Sequence, residues 1–327
     1  MIVLKIVRNS LILFLLAMTV GFSCKEDSAL ADTPDSSQQI KGSLPDTGQT
    51  SSYTTTKGED SDFLIYPPSY TDLGNGTVTD NITGLMWQKV DGGEMTFENS
   101  ASYSKNLTLG GFSDWRLPTS HELFCLNNFD KVNPALDVTY FSKTAAEYWW
   151  TTDLRADLST NVWVVNAGGG IGAHPKAETI SAGGTKRFHV RAVRNPTLAT
   201  LQVVHFVDNG NGTITDNFTG LIWQKVASGN TFSWEEALVF ATGLSLAGAN
   251  DWRVPNIKEL QSLNDEKLLN PSFNKLFFST IVSGNYWSST SMVNAPTRAW
   301  DINTEYGIVS YNEKTVKEYL LCVRGGR

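Results

Sequence analysis

Short bursts of alternating apolar and polar residues run through most of this chain, and glycines and asparagines punctuate them. In Thr77-Val78-Thr79 and again in Thr213-Ile214-Thr215 the sides alternate, as in a strand with one face buried. Gly74-Asn75-Gly76 and Gly210-Asn211-Gly212 precede these segments and tolerate the positive φ of a tight turn. Asp80-Asn81-Ile82-Thr83-Gly84 and Asp216-Asn217-Phe218-Thr219-Gly220 follow as second turns, where an aspartate side chain can bond the backbone ahead of it. Leu85-Met86-Trp87-Gln88 and Leu221-Ile222-Trp223-Gln224 then form the next strands, so each motif predicts a three-stranded meander. Asp216 stands 136 positions after Asp80, and Trp223 stands 136 after Trp87. The chain is one module written twice.

The period then changes to that of a helix. Ser233-Trp234-Glu235-Glu236 is a capping box, followed by apolar residues at Ala237, Leu238, Ala241 and Leu244. Thr96 caps the counterpart helix, whose stripe of Phe97, Ala101 and Leu107 is weaker. Second helices follow Asp114-Trp115-Arg116-Leu117-Pro118 and Asp251-Trp252-Arg253-Val254-Pro255. Capping boxes at Thr119–Glu122 and Asn256–Glu259 open them, and Leu123, Leu126, Leu260 and Leu263 supply the buried faces. The later halves read as strands: Tyr148-Trp149-Trp150-Thr151 is set against Tyr286-Trp287-Ser288-Ser289, and Trp163 against Trp300. The expected fold class is α+β. Residues 66–196 and 201–327 form two tandem modules, each a β-meander, two helices and antiparallel strands.

The chain opens with Lys5 and Arg8, an apolar run from Leu11 to Phe22, and Cys24. That is a secretory signal over residues 1–23, with an apolar run too short to span a bilayer. A cysteine in this place makes Cys24 the expected lipidation site, with Ala29-Leu30-Ala31 as an alternative, ordinary cleavage site. The segment 24–65, rich in Ser, Thr, Asp, Gly and Gln, is expected to be a disordered tether. The protein is therefore expected in the cell envelope, lipid-anchored to the membrane. Lys25, where an aspartate would favour inner-membrane retention, points to the outer membrane or cell surface.

A net charge of −7 leaves no nucleic-acid footprint. Cys125 and Cys322 stand at non-equivalent places, so one bond between repeats and two free thiols are both open; free and buried thiols are the expectation. The Asp-x-Gly-x-Gly turns fail as calcium loops, because threonine stands at the twelfth position and glycines replace side-chain ligands. The four histidines lack metal spacing, and no Gly-x-Ser-x-Gly occurs. Hence no metal, cofactor or catalytic residue is expected.

Asp114 with Arg116, and Asp251 with Arg253, are candidate carboxylate–cation pairs for a ligand, weighed against a structural ion pair. Capping explains Glu122 and Glu259 without chemistry. Matched tryptophans point to shared core packing. Trp150 and Trp234 are unmatched; Trp234 lies on a helix stripe, which leaves Trp150 as the candidate surface aromatic. The glycine-rich stretch from Val165 to Arg187, with His174 and Lys176, is the candidate binding loop, against a mobile solvated one.

With these residues in hand, both modules resemble the Lcl C-terminal domain family of secreted bacterial proteins. The resemblance rests on the Gly-Asn-Gly-Thr opening, Thr-Gly-Leu-x-Trp, Asp-Trp-Arg-Leu/Val-Pro, Tyr286-Trp287-Ser288-Ser289-Thr290 and the closing Leu321-Cys322-Val323-Arg324. The first copy departs from the pattern at Trp150-Thr151-Thr152 and at Ala192. The resemblance implies a C-type-lectin-like fold and a non-catalytic adhesion protein whose partner is a glycan or an envelope protein. Ser104 and Ala241 stand where many members carry a cysteine that could pair with the closing one. Two further readings stay open: an envelope enzyme akin to formylglycine-generating proteins, and a structural protein–protein module.

Overall fold

A computed structural model describes residues 44–178, 188–195 and 205–325. Mostly sheet, these residues form three sheets and four short α-helices. In the first module β1 (Tyr70–Asp72), β2 (Thr77–Asp80) and β3 (Met86–Gln88) form the expected meander, followed by α1 (Phe97–Asn106) and α2 (Ser120–Cys125). Then come β4 (Tyr148–Arg155), β5 (Leu158–Asn166), β6 (Ile171–Pro175), β7 (Phe188–His189) and β8 (Val193–Arg194). The second module repeats this order with β9 (Phe206–Asp208), β10 (Thr213–Asp216), β11 (Leu221–Gln224), α3 (Trp234–Thr242) and α4 (Ile257–Gln261). It ends with β12 (Asn285–Ser291), β13 (Arg298–Asn303), β14 (Ile308–Glu313) and β15 (Val323–Gly325).

Each meander recruits the closing strand of its own module, in the orders β1-β2-β3-β8 and β15-β11-β10-β9. The turn chemistry is as expected. Gly74, Gly76, Gly210 and Gly212 all have positive φ. Asp80 Oδ1 accepts from the Ile82 amide at 2.9 Å, as Asp216 Oδ1 does from Phe218 at 2.8 Å. Full capping boxes open α2 and α4. On α3 the expected stripe of Trp234, Ala237, Leu238 and Ala241 is buried. On α1 the stripe is different: Ser100 and Ser104 are the buried pair and Ala101 is exposed. One helical turn separates the two serines, and Ser100 donates to the Phe97 carbonyl at 2.6 Å, so the packed face is small and polar and carries little apolar signal.

The remaining strands form one seven-stranded sheet, β12-β13-β14-β6-β5-β4-β7, which runs through both modules. Its join is the antiparallel pairing of Ile171 on β6 with Val309 on β14. These two are counterparts, since Ile171 pairs with Val165 as Val309 pairs with Ile302. Equivalent residues meeting each other mark a two-fold relation between the copies. The core is continuous across the seam, with Phe129 of the first module meeting Trp300 of the second edge-on at 5.2 Å.

The expected tether is not one over residues 44–65. Asp46, Thr47, Gln49, Glu59 and Asp60 are buried. Asp60 Oδ2 accepts from Thr290 at 2.6 Å and from Thr47 at 2.8 Å, and Glu59 Oε1 accepts from Ser291 at 2.7 Å. Gln49 brackets Ser291, and the Thr47 carbonyl takes the Phe129 amide at 2.8 Å. A polar strap thus stitches the two modules by hydrogen bonds, not by apolar burial, and so its composition imitates disorder. Cys24 and the rest of the expected signal and tether lie outside the described residues.

Candidate functional site: a cleft at the seam

Where the two modules meet, the hairpin turn after β5 differs from the turn after β13. The second hairpin is one residue longer: Glu305 and Tyr306 stand against the single Gly168, while Gly169 corresponds to Gly307, each with positive φ and each donating its amide to the carbonyl of Asn166 or Asn303. Gly169 has φ +110°, and a Cβ on it would lie 3.2 Å from both Phe129 and Trp300, so only glycine lets the turn press against the other module. On the opposite side of the two-fold, Tyr306 fills the equivalent space, with the Arg155 guanidinium 4.6 Å above its ring. The glycine side stays open as a cleft of about 340 Å3.

Both modules line this cleft. The first contributes Lys131, Asn133 and Asn166; the second contributes Asn294, Trp300 and Tyr311. Tyr311 is 38% exposed. Its ring meets Trp300 edge-on at 5.6 Å, with the Arg298 guanidinium 5.4 Å away. Arg298 is held in turn by Glu313 at 2.6 Å. An exposed aromatic, three amide side chains and one lysine make a weakly charged, hydrogen-bonding surface with a stacking platform.

The residues expected to bind are elsewhere. Trp150 is buried: its indole donates to the Met95 carbonyl at 2.9 Å and its ring stacks on Phe188 at 4.5 Å. The sequence pairing was displaced by one residue. Trp287 donates to the Phe232 carbonyl just as Trp150 does to Met95, and Ser288 to the Trp300 carbonyl as Thr151 does to Trp163. Trp150 therefore matches Trp287, and Trp149 matches Tyr286. A tryptophan repeated at one core site has no reason to be a surface platform.

Neither Asp114 nor Asp251 pairs with the arginine two residues on. Asp114 holds Arg194 at 2.7 Å and Asp251 holds Arg324 at 2.7 Å, tying each loop to its closing strand. Arg116 clamps Glu122 at 2.6 and 2.8 Å, and Arg253 clamps Glu259 at 2.5 and 2.6 Å. Both glutamates thus serve as cap and as counter-ion. His174 lies 3.0 Å from Glu178 and packs against Tyr148, while Lys176 sits 5.4 Å from the Phe97 ring. The latter pair matches Lys314, 3.7 Å over Trp234, in the second copy. These contacts are structural. Of the stretch Val165–Arg187, Asn166, Gly168 and Gly170 do line the cleft; residues 179–187 lie outside the described set. Cys125 and Cys322 are free and buried, as expected, and burial pushes both thiols up to about 12.

Three buried charge clusters lie apart from the cleft. His189 Nδ1 is 2.9 Å from Asp91, which also receives Trp149 and Thr144. Burial opposes ionisation of Asp91, but His189 and Arg191 together hold it at about 2. In the second module Asn312 Nδ2 bridges Asp301 at 3.1 Å and Glu318 at 2.8 Å. Burial raises Asp301 to about 7, and burial with Asp301 beside it raises Glu318 to about 8. The third cluster, around His121 and Glu266, spans the seam.

The Lcl C-terminal domain model matches residues 76–194 and 212–324, one copy on each module. The chain belongs to the Lcl C-terminal domain family. No curated protein matches it. In this family member the two copies share one sheet, and the cleft belongs to neither copy alone.

Proposed function

We propose that this chain is a non-catalytic binding protein of the cell envelope and that its seam cleft takes carbohydrate. The carrying observation is the composition of the cleft: Tyr311 exposed beside Trp300, with Asn133, Asn166 and Asn294 around them. Aromatic faces suit the C–H faces of pyranose rings, and amides both donate to and accept from hydroxyl groups. A cleft of this size suits a small ligand. The C-type-lectin-like fold that the family resemblance implies, and the expected export signal and lipid anchor at Cys24, fit a surface-exposed adhesin. The acidic net charge argues against a polyanionic partner as the main ligand.

The test is a glycan array probed with residues 44–327, strap included, and with the Ser310→Trp variant. Ser310 is exposed on β14 and lines the cleft, so the bulk fills the cleft at a position that tolerates it. Binding by the parent that the variant loses supports the reading. A blank array from folded protein ends it and directs attention to a protein partner.

A further inference from the structure

A second cavity in the first module adjoins the seam cleft. Asn133, Asn166 and Gly168 line the cleft on one side and, on the other, line this cavity of about 420 Å3. Lys143, Ala145, Glu147, Tyr148 and Trp149 stand around that second cavity. We infer that the two cavities are one groove and that it holds an internal stretch of an uncharged glycan chain, not a terminal sugar. This rests on the carbohydrate reading above.

Size comes first. Each half alone falls in the range of roughly 300–1,000 Å3 that accommodates a drug-sized ligand, so the joined groove exceeds what one sugar ring needs. Gly168 stands at the join. Gly168 donates its amide to Asn166 Oδ1 at 2.6 Å, and a Cβ there would lie 2.8 Å from that oxygen. The glycine keeps the floor low where the halves meet. Its counterpart in the second module, Glu305, carries a side chain. Thus the two copies differ at the very residue that stands at the join.

The chemistry follows the same line. Tyr311 supplies the exposed ring at the seam, beside Trp300, and the polar side chains of Asn133, Asn166, Ser142 and Thr144 line the rest, where Tyr148 is already stacked on Phe188 and Trp149 is buried in the core. The charges along the groove are Lys131, Lys143 and Glu147, too balanced and too few to select a polyanion. A ring contact at one end and polar contacts along the groove add their contributions only for a ligand long enough to reach both halves.

The experiment is calorimetric titration of residues 44–327 with two graded series, N-acetylated chito-oligosaccharides and cello-oligosaccharides, of one to six rings. We expect affinity in at least one series to rise at least tenfold between two and four rings and then to level. Tyr311→Ala should weaken every length. Ala145→Trp, at an exposed position of the first-module half, should leave the disaccharide within twofold and remove the gain with length. Equal affinity for two and six rings overturns the groove while leaving a sugar site at the seam. No binding in either series, with an array that returns only charged or branched glycans, overturns the uncharged chain. A blank array overturns the carbohydrate reading itself.

Discussion

His121 and Lys258 occupy the same position in the two copies, and each reaches across the seam with a different partner. His121 Nε2 lies 3.0 Å from Glu266 Oε1, and Lys258 Nζ donates to the Cys125 and Asp46 carbonyls at 2.8 Å each. All three side chains are nearly excluded from water. The seam therefore depends on two buried cations, one paired with a carboxylate and one solvated by backbone oxygens.

Stability should respond to pH through the first of these. Burial disfavours the charged imidazole, but Glu266, with Asp153 and Asp265 behind it, raises His121 to about 9. A group raised in the folded state stabilises fully below its unfolded value, about 6.5, and loses that contribution as pH climbs through about 9. Glu266 is lowered by His121 and loses its contribution as pH falls through its folded value. Removing one partner of a buried pair costs about 3–5 kcal/mol. His121→Gln should therefore lower stability by that order at pH 7, with the gap to wild type narrowing above pH 9 in urea titrations.

The Asp301–Glu318 pair should act in the same sense, over a lower pH window. Both carboxyls are raised in the folded state, so the folded protein holds protons that the unfolded chain has released. Stability falls as pH rises from about 4 to about 8. Glu318→Gln should flatten this slope and, at pH 9, stabilise by on the order of 2 kcal/mol. Melting temperatures at pH 5, 7 and 9 give the comparison; a parallel pair of curves would refute it.

Trp150→Ala should cost about 3–5 kcal/mol, the price of a large core aromatic, because the Phe188 stack and the Met95 bond are both lost. Glycan binding by the fraction that remains folded should be unchanged. Urea midpoints and a titration at saturating protein stability separate the two.

A fragment beginning at residue 66 should melt well below one beginning at residue 44. Without the strap, Thr290, Ser291, Asn256 and Lys258 lose buried partners, at about 1–3 kcal/mol for each group left unsatisfied. Calorimetry of the two fragments checks this. Equal melting temperatures would show that the strap is an ornament.

The duplication, the meanders, the capping boxes and the buried leucines were all legible in the chain before it was folded. Each depends on residues within a few positions of one another, where turn geometry and periodicity act directly. The cleft was half legible. Gly168-Gly169-Gly170 stood out in the sequence, but that these glycines leave the cleft open follows only from Glu305 and Tyr306 standing at the equivalent place in the other copy. Trp150 misled because Trp149 beside it offered a second register, and only the hydrogen bonds of Trp150 and Trp287 choose between the two. The strap misled because buried polar residues and solvated ones have the same composition; what separates them is a partner far along the chain, as Asp60 has in Thr290. Tertiary structure alone decided the shared sheet, the seam and the cleft, since each requires two surfaces that are distant in sequence to meet.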